Sequence, residues 1–192
     1  AGMRGYEGVK GLPFDVAAAK KLLTEAGYPD GKGFPKVELL YNTNELHRVV
    51  TQAVQQMWKE HLGIQVELTN VEWKVYLARQ SSLDYQISRA GWIGDYVDPN
   101  TFLDMWITGG GNNQTGWSNK KYDDLIAQAA CKIVNAQDRM KALQEAEQIL
   151  AAEEVPIMPL FTYVNKGMLS RRVKGWHPNI LDQHPLKYIS LE

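Results

Sequence analysis

Apolar and polar positions along the chain switch repeatedly between helical and strand periods. Residues 16–26 carry an Ala/Leu/Lys pattern, with Asp15 placed to cap the amino end and Gly27 to supply a left-handed stop, which predicts a helix. Residues 37–41 form a short apolar run and predict a strand. Asn42-Thr43-Asn44 then caps a second helix, with Glu45 three residues after Asn42 as a loose capping box. Val49, Val50, Ala53, Val54, Met57 and Trp58 give that helix the apolar stripe expected of one packed on a sheet, and Gly63 ends it. Residues 64–68 alternate as a strand, a short helix spans roughly 73–80, and another β-prone run begins at Tyr85. After a polar excursion over 100–118 come two helices, about 120–134 and 136–153, the second with Ala136, Met140, Leu143 and Leu150 on one face. Residues 155–164 read as an extended segment restricted to an edge by Pro156 and Pro159, and residues 187–191 as a short β-prone tail. Strands interleaved with helices predict an α/β fold, a mixed sheet flanked by helices.

The chemistry concentrates in Tyr85-Gln-Ile-Ser-Arg-Ala-Gly-Trp-Ile-Gly-Asp-Tyr-Val-Asp-Pro99. A glycine inside a strand marks a close approach by another backbone, and a carboxylate at a strand exit marks a dock for a cation. The expectation is that this strand edge receives an extended peptide whose amino terminus Asp95 holds. Asp95 and Asp98 could form a carboxylate pair for glycoside hydrolysis, but three apart across a turn that includes Asp-Pro they are more simply turn-formers. His47 lies in the first turn of a capped helix, where anions are attracted, although the pattern alone also fits a solvated residue. Trp73 and Trp92 stand next to turns and are candidates to line a pocket, whereas Trp58 fits the core.

Composition narrows the choices. Apolar residues make up 44% and charged residues 22%, ordinary for a globular protein, and the formal charge of -1 gives no footprint for nucleic acid. The single cysteine, Cys131, forbids an intrachain disulfide and is expected to be a small buried apolar residue. His47, His61, His177 and His184 never fall at metal-ligand spacing, and Thr108-Gly-Gly-Gly-Asn-Asn113 lacks the ending of a phosphate loop. The opening residues read like the middle of a loop, so the chain reads as a piece of a longer protein.

Leu39-Leu-Tyr-Asn-Thr-Asn-Glu-Leu-His47, Glu72-Trp-Lys74, Ser88-Arg-Ala-Gly-Trp92, Asp95-Tyr96 and Tyr122-Asp123 resemble the oligopeptide-binding proteins of bacterial ABC importers, as do Ala146-Glu-Gln-Ile-Leu150, Pro156 and Pro159. The resemblance implies a lobe of the type II periplasmic-binding-protein fold: residues 1–175 as the lobe that closes over the ligand, and 176–192 as a segment returning toward an amino-terminal lobe. It also implies a role outside the cytoplasmic membrane, free in a periplasm or membrane-anchored, as a monomer that hands oligopeptides to a membrane permease without enzymatic activity, metal or cofactor. By resemblance the backbone of Gly91, Trp92 and Ile93 pairs with the peptide, and Asp95 meets its α-amino group. Arg89 and His47 match positions that meet the carboxyl end, Trp73 and Trp92 residues near side-chain pockets, and Asn42 a further contact. Other branches of the family take sugars or metal chelates on the same fold, and these remain the alternatives.

Overall fold

The computed structural model describes residues 3, 5–164, 166–179 and 181–192. Two compact units divide the chain, Leu12–Trp92 with Gln114–Gly116, and Ala1–Gly11 with Ile93–Asn113 and Trp117–Glu192.

The unit built on residues 12–92 is a parallel sheet with crossover helices. Asp15 accepts a hydrogen bond from the Ala18 N–H at 2.9 Å and starts α1, Val16–Glu25. Strand β1, Val37–Asn42, leads through α2, Glu45–Leu62, to β2, Val66–Val71. The strands run parallel with Val37 opposite Val66 and Asn42 opposite Val71. Helix α3, Trp73–Ser81, carries the chain to the far side of β1, where β3, Ile87–Ser88, pairs in parallel with Leu39 and Leu40. The order β2-β1-β3 leaves β1 central, and its residues 39–42 are all buried. This is the α/β sheet read from the sequence, and the parallel pairing follows from helical connections long enough to return the chain to the same end.

Two expectations change here. The apolar stripe of α2 is only partly covered: Val50, Val54 and Trp58 are half-buried, whereas Val49, Ala53 and Met57 are exposed. One row of the stripe faces the sheet core of Leu39, Ile64 and Val66, and the row beside it is turned past that core. The strand beginning at Tyr85 is also shorter than its β-prone composition, because the ladder holds only Ile87 and Ser88.

The second unit is mainly helical. Helices α4, Asn100–Leu103, α5, Lys120–Cys131, and α6, Ala136–Gln148, pack around Leu103, Tyr122, Ile126, Leu143, Ala146 and Leu150. Helix α6 continues through a wider turn, Ile149–Glu153. Helix α5 stops before the predicted end at 134, since Asn135 takes the cap of α6 and accepts from Gln137 and Asp138 N–H. Cys131 is exposed rather than buried, because the buried face of α5 is carried by Tyr122, Ile126 and Ala129. Ala136 is exposed for a similar reason, the buried face of α6 being carried by Ala142, Leu143 and Ala146. The described residues of 155–164 belong to no ladder, and 190–191 (β5) pair antiparallel with 173–174 (β4).

Candidate functional site

In the sheet-bearing unit the structure gathers Asn42, His47, Arg89 and Gly91. Asn42 is the buried last residue of β1, and His47 lies one turn into α2. Asn44 caps that helix, its side chain accepting from the N–H groups of Leu46 at 2.9 Å and His47 at 3.2 Å. His47 Nδ1 lies 2.9 Å from Asn42 Oδ1, and because that oxygen can only accept, Nδ1 carries the hydrogen. The neutral ring then has its lone pair on Nε2. Burial holds the imidazole below its usual range, the positive charge of Arg89 adds to this, and interaction with the Asn42 backbone opposes it.

Arg89 extends the β1 ladder by one bond, its N–H donating to the Leu40 carbonyl at 2.9 Å. Its own carbonyl accepts from the Tyr76 hydroxyl at 2.5 Å. That side-chain contact ends the pairing, and the backbone of Ala90, Gly91 and Trp92 pairs with no strand among the described residues. The Arg89 guanidinium folds over Gly91, where an added Cβ would sit 3.1 Å from Nη2. Trp73 opens α3 half-exposed and stacks on Tyr76 with ring centroids 5.4 Å apart, and Trp92 is 39% exposed.

Two neighbours with binding-type side chains are spent on the fold. Arg79 donates through both Nη atoms to the Glu38 carboxylate at 2.9 Å and through Nε to Asp84 at 3.1 Å. Gln80 is buried and donates to Ser88 Oγ at 2.9 Å.

Ile93 and Asp95 belong to the helical unit. Ile93 is 88% exposed. Asp95 is exposed, its N–H donates to Thr101 Oγ at 3.0 Å, and no partner for its carboxylate is present among the described residues. Gly94 is required by crowding, since a Cβ there would come within 2.9 Å of the Phe102 ring and 3.0 Å of Thr101. Asp98 differs sharply from Asp95. Its oxygens accept from Arg139 Nη1 at 2.7 Å and Nη2 at 2.9 Å, and Oδ1 also accepts from the Asn100 N–H. Partial burial raises its affinity for a proton, but the Arg139 and Asn100 bonds outweigh this and hold the carboxyl below its usual range. Sequence reasoning missed Tyr76, Thr101 and Arg139, because each acts through a partner that no local pattern marks.

The profile of the bacterial extracellular solute-binding proteins, family 5 (middle region), matches residues 2–114, more than half of the chain. The chain belongs to this family. Among curated family 5 relatives, the oligopeptide-binding protein OppA of Bacillus subtilis is 40% identical over 181 residues, covering 90% of this chain and 33% of the relative. The periplasmic murein peptide-binding protein MppA of Escherichia coli is 37% identical, covering 85% and 30%. The chain therefore spans about a third of the length of such relatives. The unliganded open form of MppA superposes with a TM-score of 0.85 at 34% identity, over 98% of this chain and 38% of that one. Haemophilus influenzae OppA in complex with RPPGFSPFR does so with a TM-score of 0.76 at 35% identity, over 92% and 34%. The fold is thus the periplasmic-binding-protein-like fold of family 5.

Proposed function

We propose that this chain is the ligand-closing part of a family 5 receptor that binds oligopeptides outside the cytoplasmic membrane and delivers them to the permease of an ABC importer. Residues 1–175 form the closing lobe and 176–192 run toward the remainder of the receptor, which acts as a monomer. Binding is by β-augmentation: the open backbone of Gly91, Trp92 and Ile93 accepts an extended main chain, which gives affinity without reading side chains. Asp95 receives the α-amino group, the one cation every unmodified peptide carries. A charge-assisted hydrogen bond of this kind contributes about 1.5–3 kcal/mol. Arg89 meets the carboxyl end, joined by His47 when its Nε2 takes up a proton; Asn42 is a further contact, and Trp73 and Trp92 flank side-chain pockets in which water accommodates variety.

The observation that carries this reading is the contrast between the two aspartates. Asp98 is consumed by Arg139, while Asp95, three residues away, keeps an exposed carboxylate on an anchored backbone. Consumption of Asp98 also removes the second member that a hydrolase pair requires, which favours binding without turnover. Support for peptides, rather than sugars or metal chelates, comes from relatives named for oligopeptide and murein peptide binding.

Calorimetry on the full-length receptor carrying this chain tests it. Asp95→Asn should weaken binding of an unmodified peptide roughly 10- to 100-fold, and the parent should bind the N-acetylated peptide equally poorly. Equal affinity of the parent for free and acetylated peptides would remove Asp95 from this role.

A further inference from the structure

The turn that carries Asp95 is short and held by local polar contacts, Asn100 Nδ2 donating to the Tyr96 hydroxyl at 3.1 Å and to Asp104 Oδ2 at 3.0 Å. Tyr96 and Val97 are exposed, and α4, the helix that follows, has four residues, too few to be stable without outside contacts. Its internal bonds are short-range: the Asp98 N–H donates to the Tyr96 carbonyl at 3.0 Å, and the Thr101 N–H to the Asp98 carbonyl at 3.2 Å. Thr101 is 2% exposed and receives the Asp95 N–H.

Besides Leu103, which packs in the helical core and whose carbonyl accepts from the Tyr122 hydroxyl at 2.5 Å, Arg139 ties this turn to the rigid helices. Both Nη atoms fork onto the two oxygens of Asp98, and Nε donates to the Ala129 carbonyl at 2.8 Å, near the carboxyl end of α5. All three directions of the guanidinium face are therefore used, two for the turn and one for the helix pair. Helices α5 and α6 are themselves locked through buried Tyr122, Ile126, Leu143 and Ala146. The ion pair is largely shielded, with side-chain exposures of 24% for Arg139 and 25% for Asp98, so water and salt weaken it less than a surface pair. A planar fork fixes direction as well as distance, which an ammonium group does not.

We propose that Arg139 is a positioning residue for peptide amino-terminus recognition: it never meets the ligand, but through Asp98 it fixes the turn that presents the Asp95 carboxylate. This rests on the reading of Asp95 given above. A carboxylate on a loose turn still carries its charge, yet gains less from an α-amino group because the turn must be ordered on binding. The consequence is selective. Contacts made to the peptide main chain elsewhere should be spared, so discrimination between free and N-acetylated peptides falls while affinity for the acetylated peptide is unchanged.

The test is the ratio of affinities for one free peptide and its N-acetylated form, measured by calorimetry on the full-length receptor. Arg139→Met, which keeps the stem and removes the fork, should lower the ratio about tenfold, and Arg139→Lys should fall between it and the parent. Asp98→Asn gives a second route should Arg139→Met fold poorly, since it weakens the same fork from the other side. Asp95→Asn is run alongside and should collapse the ratio to near one. An unchanged ratio in Arg139→Met and Asp98→Asn, with the ratio collapsed in Asp95→Asn, overturns the role of Arg139 alone. Equal losses for both peptides in the Arg139 variants mean a purely structural residue and also overturn it. A ratio that survives Asp95→Asn overturns the Asp95 reading, and the inference with it.

Discussion

The imidazole of His47 lies between a buried amide, Asn42, and a guanidinium, Arg89, and these two neighbours act on its proton in opposite directions. Burial and Arg89 prevail, so the folded protein binds a proton less readily than the unfolded chain. Well above the ordinary histidine value of about 6.5 both states are neutral and His47 contributes nothing to the pH dependence. As pH falls through that value the unfolded chain is protonated first, and stability declines until the folded state also takes up its proton. Urea denaturation should therefore show a midpoint that drops between about pH 7.5 and about pH 5.5, and a smaller drop in His47→Gln. An identical drop in the variant would assign the effect to another group. Part of this chemistry was readable beforehand: an Asn-rich cap before His47 marked a helix amino end. Its pairing with Asn42 and the field of Arg89 were not, since both depend on where β1 and β3 deliver their last residues. Asp98 repeats the lesson, its turn role being visible in Asp-Pro while its ion pair with Arg139 was not.

Among the elements, the β1-α2-β2 crossover was the most legible, because its caps, stripe and stops agree. Asn44 caps α2, and Gly63 ends it with φ of 69°, the left-handed conformation that glycine adopts without penalty. The sequence did not disclose that Gly63 also meets a second turn: a Cβ on it would collide with the Asp30 carbonyl, and one on Gly31 with the Leu62 carbonyl. These glycines let two turns at one end of the sheet touch backbone to backbone. Gly63→Ala should therefore destabilise the protein by more than the roughly 1–2 kcal/mol of a left-handed alanine, because the steric clash adds to it. A chemical-denaturation loss below about 1 kcal/mol would mean that the turns separate at little cost. Strand β3 was the least legible element. The expected strand edge reaches Gly91 and Trp92, but the Tyr76 hydroxyl donates to the Arg89 carbonyl and the ladder stops at Ser88. That early stop frees the edge on which the proposed peptide would pair, so the failure of the local pattern coincides with the candidate site.

At the scale of the whole chain, the motifs identified the family, but they left unsaid how much of the binding surface this length supplies. An extended peptide has hydrogen-bonding groups on both edges of its main chain, and one strand edge satisfies only one of them. The other edge, and the outer faces of the side chains, stay in water unless more protein closes over them. This chain spans about a third of its relatives' length, and Met158, Leu160, Phe161, Val164 and Met168 are all exposed. Groups of exposed apolar side chains signal surface made for burial against other protein. In the proposed receptor, closure by hinge motion supplies the second half of the clamp, and desolvation by that closure strengthens the Asp95 contact. The 192-residue chain alone should accordingly bind a given peptide at least about 100-fold more weakly than the full-length receptor, a difference of about 3 kcal/mol. Titrating the same peptide into both proteins under one set of conditions decides it. Comparable dissociation constants would mean that a single edge and its carboxylate supply the affinity, and that closure serves delivery to the permease rather than capture.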